Sequence, residues 1–153
     1  MPEFKIPVTQ DEYEKSGSKF IIFSSDDPPG KLYHKPVELD MPDWDTPGQS
    51  IKFPVRIAST DSDGGKEDKL SCGVAQNAVW KLKETLFNLG VDVTFKDDAP
   101  HFNSEEVAGK KAVGEWEIQM GSKGGDPAQG QTKYPKLVAL LPAGFKPSTG
   151  SLV

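Results

Sequence analysis

The stretch Ser71–Gly90, SCGVAQNAVWKLKETLFNLG, decides the fold because it is the only long, strongly periodic segment of the chain. Ser71 can cap the start of a helix, and Gly90 can end it in a left-handed turn. The apolar residues recur at the three- and four-residue spacing of one helical face, namely Ala75, Ala78, Val79, Leu82, Leu86 and Leu89. The pattern predicts one amphipathic helix over residues 72–90.

Short strands are predicted before this helix. The compact apolar run Lys19–Ser24, the segment Lys31–Leu39 and the alternating segment Ser50–Ser59 each have the composition of a strand. Residues 40–48 are rich in turn-forming residues, and residues 60–69 have the composition of a solvated loop. Three strands are therefore expected ahead of the helix.

Strands are also predicted after the helix, at Val91–Phe95, Ala112–Met120 and Tyr134–Leu141. Residues 121–132 are rich in glycine and form the expected hairpin loop between the last two strands. The order of strands, one helix, then strands matches the oligonucleotide/oligosaccharide-binding (OB) fold, in which one helix lies between the third and fourth strands of a small barrel.

The expected fold is therefore mainly β with one central helix, an OB-fold-like five-stranded barrel with helix 72–90 between strands 3 and 4. Residues 1–153 are expected to form a single domain, because this length suits one core better than two. Within it, residues 1–18 are an arm or edge segment and residues 143–153 a tail.

The charge and the cysteine content limit the classes of partner. The net charge is −5, whereas a protein that binds duplex nucleic acid is usually basic. The residues from His101 onward carry six lysines against five acids, so the net acidity lies in the earlier part. A single cysteine, Cys72, excludes an internal disulfide. No segment resembles a signal peptide or reaches the length of a membrane span, so no membrane contact is expected.

Motifs of catalysis and of cofactor binding are missing from the sequence. There is no G-x-S-x-G motif, and the Gly-rich segment 121–125 lacks the spacing of a phosphate loop. His34 and His101 are isolated in the sequence. The Asp61-x-Asp63 pair opens like a calcium loop, but the later ligand positions are occupied by other residue types. We therefore expect no catalytic residue, no cofactor and no metal site.

Lysines and aromatic rings accumulate along the two last strands. Proteins hold single-stranded nucleic acid with cations along its phosphates and with aromatic faces under its bases. Trp116 shares a strand face with Ile118 and Met120, which leaves open whether its ring belongs to the core or to a binding platform. The predicted site consists of Lys110, Lys111, Trp116, Lys123, Lys133, Tyr134 and Lys136. It requires that the lysines converge on one face beside an exposed ring.

Short motifs in the second half of the chain carry a resemblance to a known family. The helix ends in Leu89-Gly90 ahead of an acidic turn, Gly109-Lys110 opens a strand, and Pro142 closes the last strand. In these features the chain resembles small bacteriophage-encoded proteins that are similar to single-stranded-DNA-binding proteins. The resemblance implies a role in phage replication or recombination in the host cytoplasm. The end of this chain, Thr149–Val153, lacks the acidic tip with which well-studied single-strand binders recruit partners.

Single-stranded DNA is thus the expected partner of a non-enzymatic protein of phage origin. The main alternative is a structural component of the virion, such as a capsid-decorating protein that contacts capsid proteins or forms a homo-oligomer. The net acidity, the prolines and the missing catalytic motifs suit that function as well. A third reading is a small inhibitor whose acidic segments Asp40–Asp45 and Asp61–Asp68 mimic nucleic acid toward a basic partner.

Overall fold

The computed structural model describes residues 3–10, 21–122 and 131–146. These residues form a mainly β protein with one α-helix, α1, at Val79–Leu89 and a 3-10 turn at Ser104–Glu106. The strands are β1 Leu32–Leu39, β2 Asp43–Thr46, β3 Ser50–Ile57, β4 Glu67–Gly73, β5 Thr94–Lys96, β6 Ala99–His101, β7 Lys111–Ser122 and β8 Gln131–Pro142. The mostly-β class with one helix is the class predicted from the sequence.

One antiparallel sheet contains all strands except β5 and β6. Its order is β4-β3-β1-β7-β8, and β2 continues the line of β1 along the same edge of β3. The two outer strands, β4 and β8, approach each other, with Cα atoms within 8 Å. No ladder joins β4 to β8 among the described residues. The sheet is therefore strongly curved, but it does not close by hydrogen bonds.

Helix α1 lies beside this gap and contacts both outer strands. The side chain of Asn88 donates a hydrogen bond from Nδ2 to the carbonyl oxygen of Leu140 in β8, at 2.9 Å. On its inner face the helix buries Leu82, Leu86 and Leu89. The helix thus covers the place where the sheet is open and satisfies one backbone acceptor on the edge of β8.

The concave face of the sheet forms the core, and alternate residues of each strand point into it. Buried side chains from the sheet include Val37, Leu39, Phe53, Val55, Ile57, Leu70, Cys72, Ala112, Trp116, Ile118, Leu137 and Leu140. Burying one large apolar side chain is worth about 1.5–3 kcal/mol, so these residues and the helical leucines hold the curved shape.

The helix ends as predicted and begins later than predicted. Gly90 has a φ of 70°, and the amides of Gly90 and Val91 donate to the carbonyls of Phe87 and Leu86 at 3.0 Å each, a Schellman-type end. The start is Val79, because Ser71 and the preceding residues belong to β4. The predicted helix 72–90 is therefore wrong at its first turns, where Ser71 pairs with β3 in place of capping a helix.

The strands ahead of the helix also differ from the prediction. Residues 67–69, predicted as part of a solvated loop, begin β4, and the turn-rich segment 40–48 contains β2. Within the predicted strand Lys19–Ser24, the described residues 21–24 have no strand pairing, although Ile21 is buried. The three strands that precede the helix in the sheet are therefore the β1–β2 line, β3 and β4.

The later strands follow the prediction more closely. β7 and β8 contain the predicted segments Ala112–Met120 and Tyr134–Leu141 and extend beyond them. The strand predicted at Val91–Phe95 is shifted to β5, which pairs with β6 in a small separate sheet. Residues 1–2, 11–20, 123–130 and 147–153 lie outside the described residues, and with them most of the predicted arm and tail.

Candidate nucleic-acid interface

The lysines predicted to form one site are spread along the sheet. Lys110 and Lys111 stand at the start of β7, whereas Lys133 pairs with Met120 near its other end. At about 3.3 Å per residue, these two positions are about 30 Å apart along the strand. Lys123 lies outside the described residues. The lysines of the two last strands therefore do not converge on one surface.

Trp116 is part of the core. Its side chain is 1% exposed, and its indole Nε1 donates to the carboxylate of Asp68 across the curved sheet at 2.9 Å. The ring lies over Gly114, where a Cβ atom would be only 2.6 Å from Cζ3 of the indole. The even-numbered residues of this part of β7 face the core, so the prediction that Trp116 offers an exposed ring is wrong.

Lys133 holds a neighbouring turn. Its ammonium group donates to the carbonyl oxygens of Ser25 and Asp27, at 2.5 and 2.7 Å. Asp27 in turn accepts a hydrogen bond from the hydroxyl of Tyr33, which lowers the pKa of this aspartate. Lys133 therefore stabilises the entry into β1.

Tyr134 and Lys136 lie on the outer face of β8. The ring of Tyr134 covers Gly121, and its hydroxyl donates to the side chain of Gln119 at 3.2 Å. Lys136 stands opposite Glu117 on β7. The one lysine of the described part of this face is thus opposed by an acid, so these residues form no positive stripe along which a phosphate backbone would lie.

An exposed tryptophan ring occurs elsewhere, at the start of the hairpin between β2 and β3. Trp44 is 46% exposed and stands opposite Ile51 in the β2–β3 ladder. A groove of about 210 Å³ opens beside it and is lined by Pro42, Asp43, Trp44, Ile51 and Phe102. We call this feature the Trp44 groove. Phe102 forms its far wall and stacks on the core residue Phe53, with ring centroids 6.3 Å apart.

Of the two acids next to Trp44, Asp43 lines the groove, and Asp45 is paired with residues of β4. Asp45 accepts hydrogen bonds from the ammonium group of Lys69, at 2.6 Å, and from the hydroxyl of Ser71. The bond from Lys69 is the main cause of the lowered pKa of Asp45. These contacts connect β2 to β4 across β3, so that the backbone carrying Trp44 is held by side chains of β4 as well as by its ladder with β3.

Three lysines lie on strand segments next to the Trp44 groove. Lys52 is the Cα partner of Asp43, which lines the groove. On the other side, the amide of Leu39 donates to the carbonyl of Lys110 at 2.8 Å, three residues before Pro42. This places the carbonyl oxygen of Lys110 within about 14 Å of Pro42 in the groove wall, with Lys111 next in the chain. Lys52 and Lys111 stand opposite Asp43 and Glu38 in their ladders, but none of the three lysines comes within ion-pair distance of another described residue.

Two of the predicted site residues, Lys110 and Lys111, therefore lie near an exposed ring, but the ring is Trp44. Trp44, Phe102 and Lys52 were not among the residues predicted from the sequence. Trp44 stands between two acids, which would repel phosphate, and no local pattern shows that Lys69 pairs with Asp45. A tryptophan in a turn-rich segment was the one signal that could have pointed here.

Two other kinds of site, a metal site and a reactive thiol, were considered from the positions of the side chains. Within residues 3–10, 21–122 and 131–146, no group of three or more His, Cys, Asp or Glu side chains is placed to hold a metal ion. Burial raises the pKa of the Cys72 thiol, whose sulfur lies 3.7 Å from Oγ1 of Thr85. A buried thiol of this kind acts as a small apolar side chain.

Among the described helices, none combines the length and the apolar character needed to cross a membrane. Comparison with models of protein families, with curated proteins and with solved structures finds no match for this chain. Its function is therefore inferred from its own geometry.

Proposed function

We propose that this chain is a non-enzymatic protein that binds single-stranded nucleic acid, and that the bound strand crosses the Trp44 groove. The observation that carries this proposal is an exposed tryptophan ring beside an apolar groove, with lysines on neighbouring strand segments that form no ion pair within the part of the chain that the structure describes. A base stacks on the ring, and neighbouring phosphates contact Lys52 on one side and Lys110 or Lys111 on the other.

The strand order supports this proposal. If the β1–β2 line is counted as the first strand, then β3, β4, β7 and β8 are the second to fifth, and α1 follows the third. This is the chain order of the OB fold, with β4 and β8 in the positions of the two strands between which the sheet remains unpaired here. In that fold, the face of the second and third strands and the first hairpin loop bind oligonucleotides. The Trp44 groove lies beside the corresponding hairpin between β2 and β3.

The size of the groove and the charge around it favour a single strand over a duplex. A volume of about 210 Å³ is below the roughly 300–1,000 Å³ of clefts that hold drug-sized ligands, which suits one ring system. Only an unpaired base can leave its stack to enter such a groove. On the outer face of β3 and β4, Arg56 pairs with Glu67 and Lys69 with Asp45, so these two cations are already neutralised. We expect roughly micromolar affinity that weakens with salt.

The test compares two tryptophans that are both exposed. Trp44→Ala removes the ring in the groove, and Trp80→Ala removes a ring on α1 that is 63% exposed. Binding of labelled oligo-dT at low salt is measured by fluorescence anisotropy. We expect Trp44→Ala to weaken binding about 5- to 150-fold, the equivalent of roughly 1–3 kcal/mol of stacking, and Trp80→Ala to leave it unchanged. Equal affinities for the two variants, or a wild-type protein that does not bind, would contradict the proposal.

The proposed role is in phage replication or recombination, in the host cytoplasm, as the resemblance of the C-terminal half to phage single-strand binders implies. Binding that is indifferent to sequence suits this role, because stacking on a ring accepts every base. Equal affinity for mixed-sequence oligonucleotides of the same length is the result expected from it.

A virion component is the second candidate, and the outer face of α1 favours it. Trp80 is 63% exposed and Phe87 is 80% exposed. They lie on one helical face about 10.5 Å apart, at 1.5 Å per residue. Exposed apolar patches on a soluble domain commonly mark contacts with other proteins, here capsid proteins or a second copy. Co-sedimentation with purified particles that is lost in the Trp80→Ala, Phe87→Ala double variant would favour this function.

A further inference from the structure

The β5–β6 ribbon, formed by Thr94–Lys96 and Ala99–His101, stands apart from the main sheet. All residues of its two strands are exposed. Among them is Phe95, which is 75% exposed. An isolated two-stranded ribbon is marginally stable in water, and this one buries no side chain in the core. Core packing therefore does not account for its presence.

The turn of the ribbon is well defined. Asp97 and Asp98 both have positive φ values, 51° and 63°, as in the two-residue turns that join tightly paired strands. Left-handed backbone is unfavourable for residues other than glycine, and aspartate is among those that tolerate it best. The ribbon is thus a formed structural element, although its side chains are left in solvent.

The ribbon is attached to the wall of the Trp44 groove. His101 is followed directly by Phe102, which lines the groove and stacks on Phe53. Phe95 pairs with Pro100, so the two side chains share one face of the ribbon. Pro100 is two residues from Phe102, or about 7 Å of extended chain. An exposed apolar face thus begins close to the groove.

We infer that the β5–β6 ribbon is a second stacking element and that Phe95 offers its ring to a base next to the one on Trp44. This inference rests on the proposed function. The carboxylates of Asp97 and Asp98 keep phosphates away from the tip of the ribbon. The phosphate backbone therefore passes on the side of Lys52 and Lys110, and the bases face the two rings. The ligand class is a single strand of at least two unpaired nucleotides.

The experiment compares two exposed phenylalanines. Phe95→Ala removes the ring on the ribbon, and Phe87→Ala, at a position 80% exposed on α1, is the matched control. Phe95→Leu keeps an apolar side chain but removes the aromatic face. Affinity for labelled oligo-dT is measured at low salt, and hydrogen exchange of the ribbon amides is measured with and without oligo-dT. The midpoint of thermal unfolding checks that each variant is folded.

The expected result is a loss of about 5- to 150-fold for Phe95→Ala and for Phe95→Leu, with Phe87→Ala like the wild type. The ribbon amides should exchange more slowly in the complex. If Phe95→Ala binds like the wild type while Trp44→Ala is weak, the ribbon inference is wrong and the proposed function stands. Wild-type affinity in Phe95→Leu would exclude stacking at this position. A wild-type protein that does not bind oligo-dT overturns the inference together with the function.

Discussion

The charged side chains at the two ends of β3 differ in whether they form ion pairs. Near Ile57, the closed end consists of Lys35, Asp61, Asp63 and Lys66. Near Ile51, about 20 Å away along the strand, the open end consists of the Trp44 groove with Lys52, Lys110 and Lys111. At the closed end Asp63 is 1% exposed and lies 3.0 Å from the ammonium groups of both Lys35 and Lys66. At the open end, the three lysines have no ion-pair partner among the described residues.

The difference shows that lysines in ion pairs stabilise the fold, whereas lysines without an ion pair remain available to bind a ligand. The amide of Ile22 donates to Asp63 at 3.1 Å, and Lys35 also contacts Asp61 at 2.9 Å, so the closed end connects three separate segments of the chain. Charges that are paired in this way stabilise the fold, and because they are already neutralised they bind a charged ligand weakly. An exposed ring and unpaired ammonium groups add little to stability and remain available for binding.

The largest effect is expected from Asp63→Ala. The change leaves the ammonium groups of Lys35 and Lys66 partly buried without their shared carboxylate. Removing one partner of a buried ion pair costs about 3–5 kcal/mol, and we expect about 3 kcal/mol less free energy of unfolding because both lysines keep some exposure. Urea unfolding measures it. Glu67→Ala, which breaks an exposed pair with Arg56, is the control and should change little. Similar losses in both variants would mean that the closed end does not stabilise the fold.

A smaller effect is expected from acid. Burial alone would raise the pKa of Asp63, but the contacts with Lys35 and Lys66 and the amide of Ile22 outweigh it and lower that pKa. The unfolded chain, with a pKa of about 3.9, therefore binds the proton more tightly than the folded chain. The contribution of Asp63 to stability is present above this value and is lost as the pH falls through the lower, folded pKa.

The thermal unfolding midpoint should accordingly fall as the pH drops below about 4. In Asp63→Asn, which has no carboxylate to protonate at this position, the fall should be smaller. Circular dichroism across the acid range measures both. A midpoint with the same acid dependence in the two proteins would assign the effect to other carboxylates.

The smallest effect is expected from single lysines at the open end. Each phosphate contact with single-stranded nucleic acid contributes about 0.7 to the slope of log K against log salt concentration. Lys110→Gln and Lys111→Gln should each reduce that slope by up to about this amount, with only a few-fold loss of affinity at low salt. Lys136→Gln, on the face shared with Glu117, should leave the slope unchanged. If Lys136→Gln reduced the slope more than Lys110→Gln and Lys111→Gln do, the binding site would lie on the two last strands and not at the Trp44 groove.

The parts of the fold that were predicted from the sequence are those set by local patterns. The end of α1 at Gly90 and the strands β3, β7 and β8 follow from a left-handed glycine and from alternating apolar residues. β4 was missed because its first residues, Glu67–Lys69, are all charged. Their place is fixed by pairing with β3, which no window of the sequence contains.

The site was harder to predict for a related reason. The sequence shows how many lysines the second half contains but not what they contact. Lys133 donates hydrogen bonds to the carbonyl oxygens of Ser25 and Asp27, in a turn that precedes β1. Trp116, placed in the predicted site, is buried, whereas Trp44, which was not placed there, is exposed. The first reaches across the sheet to Asp68, and the second is freed from its acidic neighbour by Lys69. Each of these contacts joins residues more than 20 positions apart, so periodicity gave no sign of them.

The unpaired border between β4 and β8 has a consequence for the motions of the molecule. Among the described residues no backbone ladder joins these strands, and the border between them is bridged by α1, by the bond from Asn88 to Leu140 and by the bond from Trp116 of β7 to Asp68 of β4. Moving β4 away from β8 breaks no backbone hydrogen bond between strands. Separating these two strands therefore costs less free energy than separating two strands that are joined by a ladder. The core can therefore expand or contract at the border between β4 and β8 while the paired strands keep their register.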